Sequence, residues 1–375
     1  MEFDNTVRAS APNTRVGLFS LRNKEKHVSR CSDYEFENAI CGFDNVDLIL
    51  PEPIEERPRS LGLIGRVARR LTIHRSQLQV RPLQLKKDYD LFFASCQQMS
   101  DLSILDACRD WRVRAKKAVC WLSELWSNDL PRYGRYLEIL SQFDYIILNF
   151  YFSTEPLEKL VNKPVIYMVT GVDAIRFSPY PHPPDRCIYL SSIGRRSPKT
   201  HEALLDHCER NGLFYIYDTY RDMSTPSFEQ HRKFLSNVIK RSRYFVANRA
   251  KIDCPFETMG QSEIAPRFVE GAAGGAVLIG EPPARLVQDF DWPDAVISVP
   301  FHSPNITDIL SELDKDPERL GRIRRQGIVN SLRRNDWVYK WARILDAAGI
   351  SYTQRMKERI KNLHSLADMV LHSPP

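Results

Sequence analysis

Residues 259–280 read MGQSEIAPRFVEGAAGGAVLIG. The stretch predicts a loop, a helix and a buried strand in immediate succession. Gly260 and Ser262 are turn and cap formers, 265–273 is a helical run, and Gly274-Gly275 stops it before an apolar strand. A helix N-terminus carries unpaired N–H groups and roughly half a positive charge, which suits a nucleotide diphosphate. Arg267 and Glu270 lie one turn apart, so both can face one ligand. Arginine would take phosphate oxygens in a forked contact, and the carboxylate would accept from the two hydroxyls of a ribose.

Outward from this stretch the chain alternates short apolar segments with helical ones, the pattern of parallel sheets covered on both faces. Strands are expected at 15–19, 46–50, 89–94, 117–122, 144–151 and 164–169, and again at 187–191, 213–218, 243–248, 275–280 and 294–299. Between the two series stands a proline-rich linker, 177–185. The expected layout is a loose tail (1–14), a first α/β domain (15–176), the linker, a second α/β domain (186–350) and a C-terminal helix and tail (351–375). Each domain is a doubly wound, Rossmann-like parallel sheet. The last segment carries a stripe of Met356, Ile360, Leu363, Ala367 and Val370, which packs on one domain or the other.

Composition bounds the rest. At 375 residues, with 43% hydrophobic and 27% charged residues, the chain can bury two ordinary cores. Its apolar runs are strand-sized, and the N-terminus carries acids and no apolar segment of the signal-peptide kind, so a cytoplasmic protein is expected. The eight cysteines are scattered without C-x-x-C or histidines at zinc spacing, so they read as reduced thiols, Cys120 and Cys187 inside apolar strands, and no metal site is expected. Between Arg57 and Lys87 the basic residues meet no acid. That stretch suits an anionic membrane surface or stays a solvated loop; nucleic acid is not expected.

Three segments together carry a resemblance. Arg267-Phe-Val-Glu270-Gly-Ala-Ala-Gly-Gly275 is similar to the R-x-x-E-x-x-x-x-G segment of GT-B glycosyltransferases, the glycosyl transferases group 1. Gly171-Val172-Asp173, followed by Phe177 and Pro179, resembles their G-V-D-x-x-x-F-x-P segment, and Gly194-Arg195 with Lys199 resembles their G-R-x-x-x-K site. The resemblance implies a two-domain GT-B fold whose terminal helix crosses back to the first domain. It implies transfer of a sugar from a nucleotide-sugar donor, a UDP-sugar ahead of a GDP- or dTDP-sugar, to a hydroxyl acceptor: a glycan, a lipid-linked saccharide or a small molecule. Glu270 would hold ribose, and Arg195, Lys199 and Arg267 the diphosphate. No further cofactor is implied. Without a metal, only cations and helix ends can stabilise the charge that develops on a leaving diphosphate.

The departures are specific. Family members carry a second glutamate eight residues before the first, where this chain has Ser262; Glu263 would do that work, or backbone amides of 260–263 hold the sugar unaided. Phe19-Ser-Leu-Arg22 stands in place of a glycine-rich loop, and Asp336 and Trp341 replace a histidine and an arginine of the closing helix, whose tryptophans are expected to pack in a core. Candidate bases for the acceptor proton are His27 and Glu124, both just beyond expected strands. The D-x-D pairs Asp88/Asp90 and Asp289/Asp291 read as turn acids. Two other activities fit the same pattern: a sugar-nucleotide epimerase or hydrolase, and a subunit that binds the nucleotide sugar without turnover.

Overall fold

The computed structural model describes residues 15–52, 80–219 and 224–373. The tail 1–14 and most of the basic stretch lie outside them. Of that stretch, Arg81 pairs with Glu52 and Lys87 with Asp47. Among the described residues no helix is long and apolar enough to cross a membrane.

Every expected strand forms. The first sheet comprises β1 (Val16–Phe19), β2 (Val46–Ile49), β3 (Tyr89–Cys96), β4 (Ala115–Leu122), β5 (Tyr145–Leu148) and β6 (Val165–Tyr167), in the order β2-β1-β3-β4-β5-β6. The second comprises β7 (Ile188–Ser192), β8 (Tyr215–Tyr217), β9 (Ser242–Val246), β10 (Val277–Gly280) and β11 (Ile297–Ser298), ordered β11-β10-β9-β7-β8. Every pairing is parallel. Continuous apolar runs such as Leu91–Ala94 and Val119–Leu122 are buried on both faces, as a parallel sheet requires. The strand order reverses between β1 and β3 and again between β7 and β9, and the carboxyl ends at such reversals are where α/β sheets bind ligands.

The chain crosses between the sheets twice, and the crossings lie side by side. Val172 N–H donates to Asn335 C=O (3.0 Å) and Trp337 N–H to Val172 C=O (3.2 Å). From Trp337 the next helix, Trp337–Ala348, packs on the first sheet. Trp337 stacks on Phe36, with centroids 4.6 Å apart, and meets Trp121 edge-on; Trp341 meets Phe93 edge-on and donates to Asp44. The return therefore begins at Trp337, inside the span expected for the second domain (186–350), because the two indoles fill space over β3 and β4.

The last helix, Gln354–His372, follows with Met356, Leu363, Ala367 and Val370 wholly buried. Each large apolar side chain so buried is worth about 1.5–3 kcal/mol. Arg359 on this helix ties Asp173 of the first crossing to Asp336 of the second at 2.6 Å each.

One local expectation fails here. Cys187 precedes β7 and is exposed, where an apolar strand interior was expected; Cys120 is buried in β4.

Candidate active site

The loop after β7 is the cationic element of the site. Gly194, at φ +105°, turns the chain so that its N–H donates to both oxygens of Asp218 (3.1 Å each), a backbone region that side chains rarely adopt. Ser197 Oγ then accepts from Thr200 N–H, and Pro198 opens the helix Pro198–Arg210. Arg196 turns back onto Asp218 and Tyr217. Arg195 pairs with Asp253 at 2.6 Å but stays half exposed. Lys199 sits exposed on the first helical turn, with no ion-pair partner among the described residues. Arg195 in the loop and Lys199 in the first helical turn thus stand on either side of the helix start, after the strand at which the second sheet reverses its order. A recess of about 20 Å³, lined in part by Ser192, Arg196, Ser197, Thr200, Asn248 and Phe301, adjoins the loop and the helix start. That is room for about one water.

The helix of the opening stretch spans Pro266–Ala273, one residue shorter than expected. Ser262 does not cap it: Ala265 holds the cap position without a side-chain bond, and Pro266 occupies the first turn, where its missing N–H costs nothing. Met259 and Gly260 take left-handed backbone (φ +46° and +84°), which brings Gln261 to Ser127 and Glu263 to the first domain. Both Glu263 oxygens accept backbone N–H groups, from Tyr151 and Phe152 at 2.8 Å each. Burial pushes its carboxyl up to about 7 against those two bonds. Glu263 is a clamp between the domains, and its two acceptor oxygens point at backbone, not at a free sugar position. Gly275, in the left-handed turn that ends the helix, is buried. A Cβ there would lie 2.6 Å from Ile328 and 2.8 Å from Arg186, so the backbone packs closely against both side chains.

Arg267 and Glu270 do face the same point, which is each other. Glu270 is 1% exposed; one oxygen takes Arg267 at 2.5 Å and the other takes Arg232. Arg232, itself buried, donates its other edge to Glu35 of the first domain at 3.1 and 3.0 Å and lies over the Phe177 ring. Burial alone would raise the Glu270 carboxyl, but Arg267 and Arg232 outweigh it and hold it at about 2. Arg267 is the exposed end of this chain of charges. Its Nε reaches back to Ile193 C=O (3.2 Å), at the start of the cationic loop.

The two candidate bases stand apart in kind. His27 is exposed, and its Nδ1 accepts from Ser29 N–H at 3.2 Å. Glu124 is half buried, accepts from Trp126 Nε1 at 3.0 Å and pairs at 2.7 Å with Lys251 of the second domain, which also pairs with Glu257. Of the D-x-D acids, Asp88, Asp90 and Asp291 pair with Arg114, Lys116 and Arg334. Among the described residues no cluster of histidine, cysteine or acidic side chains is arranged to hold a metal.

The sequence reading missed Glu35, Arg232, Lys251 and Arg285. Arg285 lies over the rings of Tyr151 (3.6 Å) and Tyr167 (4.8 Å) and closes the cleft on the β6 side. For Arg232 a signal existed: it falls on the buried stripe of its helix with Leu235, Ser236 and Ile239.

No protein-family model matches the sequence, and a search of curated proteins finds no match. Solved structures do match. HepE from Anabaena, in complex with UDP and glucose, is 11% identical and superposes with a TM-score of 0.53 over 90% of this chain and all of that one. An alpha-glucosyltransferase in complex with UDP, also 11% identical, gives 0.53 over 90% and 100%. An alpha-glucosyltransferase with UDP and a 13-mer DNA containing an HMU base, 12% identical, gives 0.52 over 89% and 99%. At such identities the likeness is one of fold: this chain has the GT-B architecture of those enzymes.

Proposed function

We propose that the protein is a glycosyltransferase that moves a sugar from a nucleotide donor to a hydroxyl acceptor. The observation that carries this reading is the exposed Lys199, without an ion-pair partner among the described residues, on the first turn of the helix that follows Arg195, at the order reversal of the second GT-B sheet. In the reaction the bond from the sugar carbon to the diphosphate oxygen breaks as the acceptor oxygen bonds to that carbon. The diphosphate leaves with the electron pair, and Lys199, Arg195 and the helix end stabilise its charge.

Arg195 would exchange Asp253 for a phosphate oxygen, and Arg267, in swinging onto the diphosphate, would free one Glu270 oxygen for the ribose hydroxyls. The acceptor proton goes to His27 or Glu124, the latter once Lys251 releases it. UDP-sugars are the first donors to try, without added metal. An acceptor on a lipid carrier would give the basic stretch from Arg57 an anionic surface to meet.

The test is calorimetric titration of the full chain with UDP, GDP, dTDP and CMP, then with the matching sugars, against Lys199→Ala and Arg195→Ala. A ligand at a hundred times its Kd adds about 2.7 kcal/mol of stability. One nucleotide that binds the wild type and at least tenfold more weakly to both variants supports the reading; equal binding to all three ends it. A second reading, a subunit that binds donor without turnover, is favoured by one observation: Glu124, Glu263 and Glu270 are all engaged by other protein groups. Release of UDP only with an acceptor present separates transfer from both this reading and a hydrolase.

A further inference from the structure

A cavity of about 390 Å³ opens on the other side of the Glu35–Arg232 pair, where the helix Cys31–Phe43, the first crossing, Phe228 and the last helix meet. Ligand-sized cavities begin near 300 Å³. Its polar lining divides into groups held tightly and groups held less so. Arg359 is held by Asp173 and Asp336, and Glu35 by Arg232.

Arg176, Arg355 and Glu358 are the charged lining groups held less tightly. Arg176 pairs with Asp173 at 3.4 Å and with Glu35 at 3.8 Å, both longer than a good hydrogen bond, and its guanidinium makes no closer ion pair among the described residues. Arg355 donates one N–H to Asn45 and is otherwise exposed. Arg355, and Arg176 on giving up its long ion pairs, can both present guanidinium N–H groups to the cavity. A guanidinium fork matches a phosphate. Asn362, exposed on the last helix, and Glu358, which accepts from Gln354 Nε2, offer a donor and acceptors for hydroxyl groups.

We propose that this cavity is a second ligand site, for a small hydroxylated organic phosphate held by Arg176 and Arg355, separate from the cationic loop after β7. Nothing in it depends on whether a nucleotide binds at Lys199.

The experiment is thermal denaturation and calorimetry of the full chain with a hexose 6-phosphate, the free hexose, inorganic phosphate and citrate, on wild type, Arg176→Gln, Arg355→Ala and Lys199→Ala. The expected result is that hexose phosphate raises the wild-type Tm, that its Kd weakens at least tenfold in both arginine variants, and that Lys199→Ala keeps the full response. The unliganded Tm of each variant shows that it folds. The proposal is overturned if hexose phosphate leaves the wild type unchanged, if its effect survives both arginine variants, or if Lys199→Ala abolishes it, which would place it at the other site. It is equally overturned if free hexose or citrate does as well, or if inorganic phosphate does as well, an adventitious ion only.

Discussion

The indole nitrogen of Trp337 donates to Oε2 of Glu35 at 3.0 Å, joining residues 302 positions apart. The same oxygen accepts from Asp173 N–H and from Arg232. One carboxylate in the first helix thus gathers both chain crossings and, through Arg232, the donor-side Glu270.

Removing Arg232 would strip the buried Glu35 of its close cation and leave Glu270 with Arg267 alone. We expect Arg232→Leu to lose about 3–5 kcal/mol in urea unfolding, because breaking one partner of a buried network leaves the others uncompensated. A loss under 1 kcal/mol would mean that Glu35 and Glu270 are solvated and that the closed arrangement of the domains is wrong.

Acid should act first through His231. Burial, then Arg267 and Arg232, lower its imidazole to about 4. A depressed folded-state value means that stability is present above the unfolded value near 6.5 and is lost as pH falls from there towards 4. Glu270 adds a second loss at lower pH, between its unfolded range and about 2. Urea midpoints measured from pH 7 to 4 should fall for the wild type and fall less for His231→Gln; parallel curves would refute the assignment.

Glu263 has the opposite sign. Its folded-state value, raised to about 7, makes its contribution greatest below its unfolded range near pH 4.5 and smaller as pH rises through 7. Replacing it with glutamine should remove that downward slope between pH 5 and 7 while weakening the Tyr151–Phe152 clamp. Hydrogen exchange at those two amides reads the clamp directly, and unchanged exchange in Glu263→Gln would count against it.

Gly171 has no room for a side chain: a Cβ would come within 2.5 Å of Cε3 of Trp337, whose ring is pinned by Phe36 and Glu35. Overpacking of this kind costs on the order of 1–3 kcal/mol. Gly171→Ala should lower the Tm accordingly, and pairing it with Trp337→Phe should recover part of the loss, since the smaller ring leaves space.

The fold was legible because it is written locally. Runs such as Leu91–Ala94, punctuated by loops and helices, predict buried parallel strands wherever they fall, and the stripe from Met356 to Val370 predicts a helix that buries one face. The shape of the loop after β7 is equally local, set by the Gly194 backbone, the Ser197 side-chain cap and Pro198.

What escaped is the choice of partners. The Glu263 bonds to Tyr151 and Phe152 span 112 and 111 residues, and Arg232 reaches Glu35 across 197. No local pattern specifies such a pairing. A carboxylate on a glycine-bounded loop reads the same whether it awaits a sugar or is already bound to backbone.

The return of the chain at Trp337 also sets an order of events during synthesis. The first sheet is complete on the ribosome once β6 has emerged, yet Phe36, Phe93 and Trp121 then lie open until Trp337 and Trp341 arrive, some 170 residues later. At about 5–20 residues per second that is a wait of roughly 10–30 s with an uncovered aromatic face. The arrival of Trp337 and Trp341, rather than completion of its own strands, is therefore what closes the aromatic face of the first sheet.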